Sequence, residues 1–299
     1  MFARRSLLAF AFALIPVITG VPVAQASSPL KDCKSQRGTT TGTIVPIYTY
    51  PDTNWSALRA AHDAHPNVPM IAVVNLADPG GPGSGDDPIV RRRIADLVCS
   101  GVEVSGYVDT HYLLRPQGEI RDEISTWKRS YPVTGIFLDQ MTDNYDHSDP
   151  NNQNQPELLQ AQIDQNAGIY HELTSYAHRL GLWDVIGNPG VASSQTYLDR
   201  NAVDIMVTRE SRGVPNVADQ RGWWWMNDPT LRDRTALLSY GVGADKAGVQ
   251  PLSDDQLSQL GESFGWVYVT DRAGTNPWDG LSSYFDSLLA ALSIDQSVG

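Results

Sequence analysis

Val133-Thr134-Gly135-Ile136-Phe137-Leu138-Asp139 decides how this chain is read. The run is rich in β-branched and aromatic side chains, starts after a proline and stops on an acid. It is too short for a helix and apolar enough for a strand buried on both faces. A helical pattern, Gly118–Ser130, precedes it, and a longer one, Pro156–Leu180, follows and ends at Gly181. The same alternation extends in both directions. Ile44–Tyr50, Met70–Leu76, Val102–Thr110, Trp183–Asn188, Val203–Glu210, Thr235–Val242 and Gly265–Asp271 also read as strands. Helical patterns over Asn54–His65, Asp87–Ser100, Ser194–Asn201, Asp254–Leu260 and Asp279–Leu292 separate most of them. Eight strands alternating with helices over about 250 residues predict a single-domain α/β protein, a (β/α)8 TIM barrel spanning residues 44–299. A doubly wound sheet is disfavoured, because Ile44–Tyr50 runs into Pro51-Asp52 without the glycine-rich turn that cradles a dinucleotide.

The chain has 299 residues, of which 41% are hydrophobic and 19% charged, so it can bury a sizeable core and is no candidate for disorder. A net charge of −12 makes nucleic acid and an anionic membrane poor partners. Residues 1–26 read as a signal peptide, with Arg4-Arg5, an apolar stretch from Leu7 to Ile18, and Ala24-Gln25-Ala26 before the cut. A secreted, extracellular protein cleaved after Ala26 is therefore expected, with 27–43 as an N-terminal segment. The paired arginines also bear a faint likeness to a twin-arginine export signal. No later stretch reaches the roughly 18 apolar residues of a membrane span. Cys33 and Cys99 are the only cysteines, and in an oxidising compartment they are expected to pair.

In barrels of this kind, chemistry sits at the C-terminal ends of the strands. Those ends carry Tyr48, Asn75, Asp109 with Tyr112, Asp139, Asn188, Glu210 and Tyr240. Two acids at one barrel mouth are the minimum for glycoside hydrolysis, where one protonates the leaving oxygen and the other attacks the sugar or activates water. Asp139 and Glu210 are the candidates, with their roles interchangeable. Strands four and six are separated by one strand, so the carboxylates should lie about 5–9 Å apart, a range that spans both retaining and inverting geometries.

The run Val45-Pro46-Ile47-Tyr48-Thr49-Tyr50-Pro51 with Trp55 resembles the opening of the spherulation-specific family 4 (spherulin-4-like) proteins. Val74-Asn75 with Pro79–Gly83, Gly106-Tyr107-Val108-Asp109-Thr110-His111-Tyr112, Gly135–Asp139, Asn188-Pro189-Gly190 and Val203-Asp204 to Glu210 follow in the same order, over about Ile44 to Leu292. The resemblance implies a barrel glycoside hydrolase that cuts galactosamine- or N-acetylgalactosamine-containing exopolysaccharide, endo-acting on α-1,4 linkages, with acids at the ends of strands four and six. Asp139 and Glu210 match those places. One departure stands out: the family pattern has Asp-Glu at the end of strand four, and this chain has Asp139-Gln140. A glutamine can hydrogen-bond a sugar but cannot exchange a proton near neutral pH. The alternative is thus a non-catalytic carbohydrate-binding protein on the same barrel.

Consecutive indoles at Trp223-Trp224-Trp225 offer flat apolar faces for sugar rings, so Trp223 is expected to contact substrate along with Tyr48, Asn75, Asp109, Tyr112, Gln140, Asn188 and Tyr240. Gly261-Glu262-Ser263-Phe264-Gly265 matches the hydrolase elbow pattern but precedes a strand instead of following one, which argues against a serine nucleophile. No cofactor and no metal are expected. The partner is a polysaccharide or oligosaccharide, met by a monomer.

Overall fold

A computed structural model describes residues 41–48, 52–78, 80–149, 154–216, 223–243 and 251–294. Eight parallel strands form one sheet in sequential order: β1 (Thr43–Ile47), β2 (Met70–Val74), β3 (Glu103–Asp109), β4 (Gly135–Asp139), β5 (Asp184–Asn188), β6 (Ile205–Arg212), β7 (Thr235–Tyr240) and β8 (Trp266–Val269). The helices between and after them are α1 (Asp52–Ala64), α2 (Pro88–Ser100), α3 (Gln117–Ser130), α4 (Gln160–Arg179), α5 (Thr196–Asp199), α6 (Pro229–Arg232), α7 (Asp254–Ser263) and α8 (Phe285–Ile294). All eight expected strands form, each displaced by at most a few residues. Their sequences are nearly unbroken apolar runs because parallel strands here are covered on both faces, by helices outside and by packed side chains inside.

The sheet curls until β1 meets β8 at a single parallel bridge, Gly42 to Trp266. Gly42 donates to the Gly265 carbonyl at 2.8 Å and accepts from Val267 N–H at 2.9 Å. A Cβ on Gly42 would lie 2.5 Å from the Trp266 ring, so closure requires glycine at this position. Helix ends follow local chemistry. Asp87 caps α2 by accepting from Ile89 and Val90 N–H, Pro88 opens its first turn, and Gly101 ends it with φ 107°.

Two helices start four or more residues later than their sequence patterns, for reasons that bear on the barrel mouth. The pattern beginning at Pro156 becomes helical only at Gln160. Residues 156–158 instead pair with the loop after β4, Asp146 N–H donating to the Pro156 carbonyl at 2.9 Å and Leu158 N–H to Asn144 at 2.8 Å. Likewise the pattern beginning at Asp279 becomes helical only at Phe285. The Tyr268 hydroxyl holds Ser282 N–H at 3.2 Å and the Asp271 carboxylate holds Ser283 N–H at 2.9 Å, so this segment is tied to the end of β8. The signal-peptide region and Cys33 lie outside the described residues. Cys99 sits exposed near the end of α2.

Candidate active site

The strand ends bring three polar side chains into one row across β4, β5 and β6. Asp139 and Asn188 are register partners on neighbouring strands. The Asn188 side-chain nitrogen donates to Asp139 Oδ1 at 2.7 Å and to Glu210 Oε2 at 2.6 Å, so a single amide bridges both acids. Glu210 reaches this row because β6 is bulged. Val207 pairs with Ala236 and Glu210 with Leu238, two residues further along β7, while Thr208 is the extra residue between them. Alternate residues of a strand share a face, so Val207 and Glu210 both point inward although three positions separate them in sequence. An unbulged strand would have turned Glu210 outward.

Each acid has a second donor. The Tyr107 hydroxyl donates to Asp139 Oδ2 at 2.6 Å, and the Trp278 indole N–H donates to Glu210 Oε1 at 3.0 Å. Burial raises the Asp139 carboxyl above the usual carboxylate range, against the pull of the hydrogen bonds from Tyr107, Asn188 and the Gln140 backbone. Burial also raises Glu210, and the Asp139 charge raises it further, opposed by the bonds from Asn188 and Trp278. Burial and the nearby Asp139 push the Tyr107 phenol far above its ordinary value, which keeps it protonated and able to donate. Asp139 has the richer donor set, so within the pair it holds the negative charge more readily, and Glu210 is the better proton carrier.

Aromatic rings surround the row. Tyr48 meets Tyr107 edge-on at 5.5 Å, and Tyr107 stacks over Phe137 at 6.3 Å. Tyr240 meets Trp278 edge-on at 5.7 Å, and Tyr48 N–H donates to the Trp278 carbonyl at 3.3 Å, so these residues belong to the same mouth. Asn75 is a loop anchor: its Oδ1 accepts from Gly81 N–H at 2.9 Å. That anchoring lays Gly80 against the Tyr107 ring, where a Cβ would come within 2.2 Å of Cε1. The glycine-rich loop therefore brings backbone up to the tyrosine that holds Asp139.

At the end of β3, Asp109 is the register partner of Asp139, and its Oδ1 accepts from His111 N–H at 2.7 Å. Tyr112 follows on the rim, its ring stacked on His147 at 3.8 Å. Gln140 adopts φ 47°, and its Oε1 lies 3.1 Å from His111 Nδ1, so its side chain engages the rim histidine.

Trp223 has its ring contacts outside the row of acids. Its ring packs against Trp225 at 4.6 Å and Phe264 at 5.9 Å, beside the C-terminal end of α7. Trp225 is fully buried and donates to the Ser263 carbonyl, while Trp224 donates to the Ser193 carbonyl. Trp225 is packing, while Trp223 and Trp224 are half-buried, because a tight 3-10 turn over Trp224–Asn227 sends successive rings toward different neighbours. The indole at the acids is Trp278, which sequence reasoning missed. Its signal was Asn276-Pro277-Trp278, a turn beyond a strand end with a large aromatic at its close. Tyr107 was also missed, although it sits two residues before Asp109, a spacing that puts both on one face of β3.

The pattern of spherulation-specific family 4 matches residues 42–292. Spherulin-4 of Physarum polycephalum is 26% identical over 255 residues, covering 83% of this chain and 69% of its own length. Among solved structures, that of Aspergillus clavatus Sph3 in complex with GalNAc superposes with a TM-score of 0.66 and 22% identity, over 86% of this chain and 98% of the other. The glycoside hydrolase domain of PgaB (BpsB) from Bordetella bronchiseptica gives a TM-score of 0.50 and 13% identity, over 87% and 99% of the two chains. Both likenesses are in the barrel fold. With the family pattern running from the residue that closes the barrel to its last helix, this chain belongs to spherulation-specific family 4.

Proposed function

We propose that this protein is a secreted glycoside hydrolase that cleaves an amino-sugar polysaccharide, with Asp139 as nucleophile and Glu210 as general acid/base. The observation that carries this reading is the Asn188 bridge between the two half-buried carboxylates. Burial raises both carboxyls and the Asp139 charge raises Glu210 further, which favours one carboxylate beside one acid, the pair that glycoside hydrolysis needs. In that division, Asp139 attacks the anomeric carbon while Glu210 protonates the departing oxygen. Glu210, now ionised, then takes a proton from water as that water releases the sugar from Asp139.

The bridge also favours a stereochemical outcome. The two bonds to one nitrogen keep the nearest carboxylate oxygens within about 5.3 Å of each other, which is compatible with the close carboxyl pair of retaining enzymes, roughly 5–5.5 Å apart. The galactosamine-type substrate is supported by the family and by the GalNAc bound to Aspergillus clavatus Sph3. Mass spectrometry of acetylated and de-N-acetylated α-1,4-galactosamine oligomers incubated with the protein tests the proposal. Cleavage lost in both Asp139→Asn and Glu210→Gln supports it, and intact oligomers with the unmodified protein overturn it.

Gln140 motivates a second reading, a carbohydrate binder that has lost an essential acid. Against it, the Gln140 side chain is engaged with His111 on the rim, and both members of the bridged pair have their own donors without it.

A further inference from the structure

The corner of the mouth beside β3 and β4 concentrates unfavourable backbone. Among the described residues, five non-glycine residues have positive φ, and four of them meet here: His111 (46°), Tyr112 (54°), Leu113 (62°) and Gln140 (47°). Left-handed backbone in residues bearing a Cβ persists only where surroundings over-determine it. Here they do. Asp109 Oδ1 holds His111 N–H, the Gln140 carbonyl holds Tyr112 N–H at 2.7 Å, and the Thr110 carbonyl holds Leu113 N–H at 3.0 Å. The Thr110 hydroxyl in turn donates toward the Asp139 and Gln140 carbonyls.

What this turn achieves is the placement of Tyr112. Its ring lies almost parallel to His147, 8° between planes, and Asp143 Oδ1 fixes His147 at 2.9 Å. The Tyr112 phenol lies in the field of Asp139, Asp109 and Glu210 as well as Asp143. The same residue also lines a cavity of about 320 Å³, at the small end of the range for ligand sites. Tyr145, Asp146, Ser148, Gln165 and Asn166 complete the walls that matter here. The pairing of 144–146 with 156–158 holds this rim in place.

The lining suits a sugar. Tyr145 offers an aromatic face with 41% of its surface exposed, and Gln165 and Asn166 offer amides for hydroxyl groups. Among the described residues, no Lys or Arg lines the cavity, and Asp146 is its one carboxylate. Asp146 Oδ1 accepts from Ser148 N–H at 2.9 Å, and an ionised carboxylate keeps further lone pairs for a cation. We infer that this cavity is a distal subsite for a second hexosamine ring of the polymer, with Tyr145 against the sugar face and Asp146 facing its free amine. The inference rests on the proposed polysaccharide reading and deepens it: a chain leaving the acids past Tyr112 enters this cavity, so longer substrates gain contacts that short ones do not.

The test uses the full chain, Tyr145→Ala and Asp146→Asn, none of which alters the acid pair. Turnover is measured on galactosamine oligomers from trimer to octamer, and binding of the same oligomers is measured in the Asp139→Asn background. Tyr145→Ala is expected to lower kcat/KM on the octamer about five- to tenfold and to leave the shortest cleaved oligomer within about twofold. Asp146→Asn is expected to weaken free-amine oligomers about fivefold and acetylated ones hardly at all. Losses equal at every length, or no losses, would overturn the subsite while leaving the hydrolase standing. Length-dependent binding that Tyr145→Ala abolishes, without any cleavage, would support the subsite and overturn the hydrolase. Neither binding nor cleavage of any oligomer would overturn both.

Discussion

Trp278, from the loop after β8, donates its indole N–H to Glu210 on β6 at 3.0 Å, so the acid is oriented from across the barrel mouth. That bond holds the Glu210 carboxyl down against burial and the Asp139 charge, both of which raise it. In Trp278→Phe the donor is gone and the Glu210 pKa rises. Activity that requires protonated Glu210 then persists to higher pH, and the alkaline limb of the kcat/KM profile moves up while the acid limb stays. Asn188→Ala removes a donor from both acids, so both limbs are expected to move up together. Losing a hydrogen bond that orients an acid should also lower kcat, about tenfold in each variant. A pH–rate profile of the three proteins checks the pattern. Identical limbs in all of them would contradict it.

Catalytic acids whose pKa values rise on folding reduce stability at neutral pH. A carboxyl whose folded pKa exceeds its unfolded value binds protons more tightly when folded. Its stabilising contribution is present below the unfolded pKa and is lost as pH rises through the folded one. Asp139→Asn keeps the shape and removes the buried charge, and the Tyr107 hydroxyl can reverse to accept from the new amide. The variant is expected to melt about 2–4 °C above the parent at pH 7, with the difference shrinking toward pH 4. Calorimetric scans across that range measure it, and a gain that grows on acidification would reverse the sign.

Gly80 reports on Tyr107. A methyl group at this position would lie 2.2 Å from the ring, so in Gly80→Ala the ring must move and its hydroxyl leaves Asp139. Because that bond lowers the Asp139 pKa, its loss raises the acid limb of the activity profile. Gly80→Ala and Tyr107→Phe should therefore shift the acid limb in the same direction, a comparison that a purely local packing defect would not reproduce.

The tryptophan triplet separates packing from recognition. Trp225→Ala empties a fully buried site against Trp223, Trp224 and Phe264 and is expected to destabilise the fold by about 3–5 kcal/mol. Trp223→Ala should leave oligosaccharide affinity within about twofold, measured by titration calorimetry. A tenfold loss would restore Trp223 to the binding surface.

The strands were legible because each is an apolar run that ends on a polar residue, and reading those ends collected Asp139, Asn188 and Glu210. What brings Glu210 inward was not legible. Thr208, the extra residue of the bulge, has no glycine beside it to mark the irregularity, and simple alternation from Val207 points Glu210 the wrong way. The left-handed turn at His111–Leu113 also lacks a glycine signal, since side-chain and backbone hydrogen bonds from Asp109, Thr110 and Gln140 enforce it. Trp278 was hidden by distance, lying 68 positions from the acid it serves. The burial of Trp225 was not legible either, because a consecutive run of indoles does not show which ring the 3-10 turn sends inward.

The central claim, a bridged Asp139–Glu210 pair close enough for direct attack, meets its most direct test in proton NMR of the first product. An α-1,4-galactosamine oligomer is mixed with the parent, Asp139→Asn and Glu210→Gln proteins, and the anomeric signals are followed before mutarotation. The expected result is the α-anomer appearing first with the parent and hydrolysis below about 1% of the parent rate in both variants. The β-anomer appearing first, or near-parent hydrolysis in either variant, would contradict it.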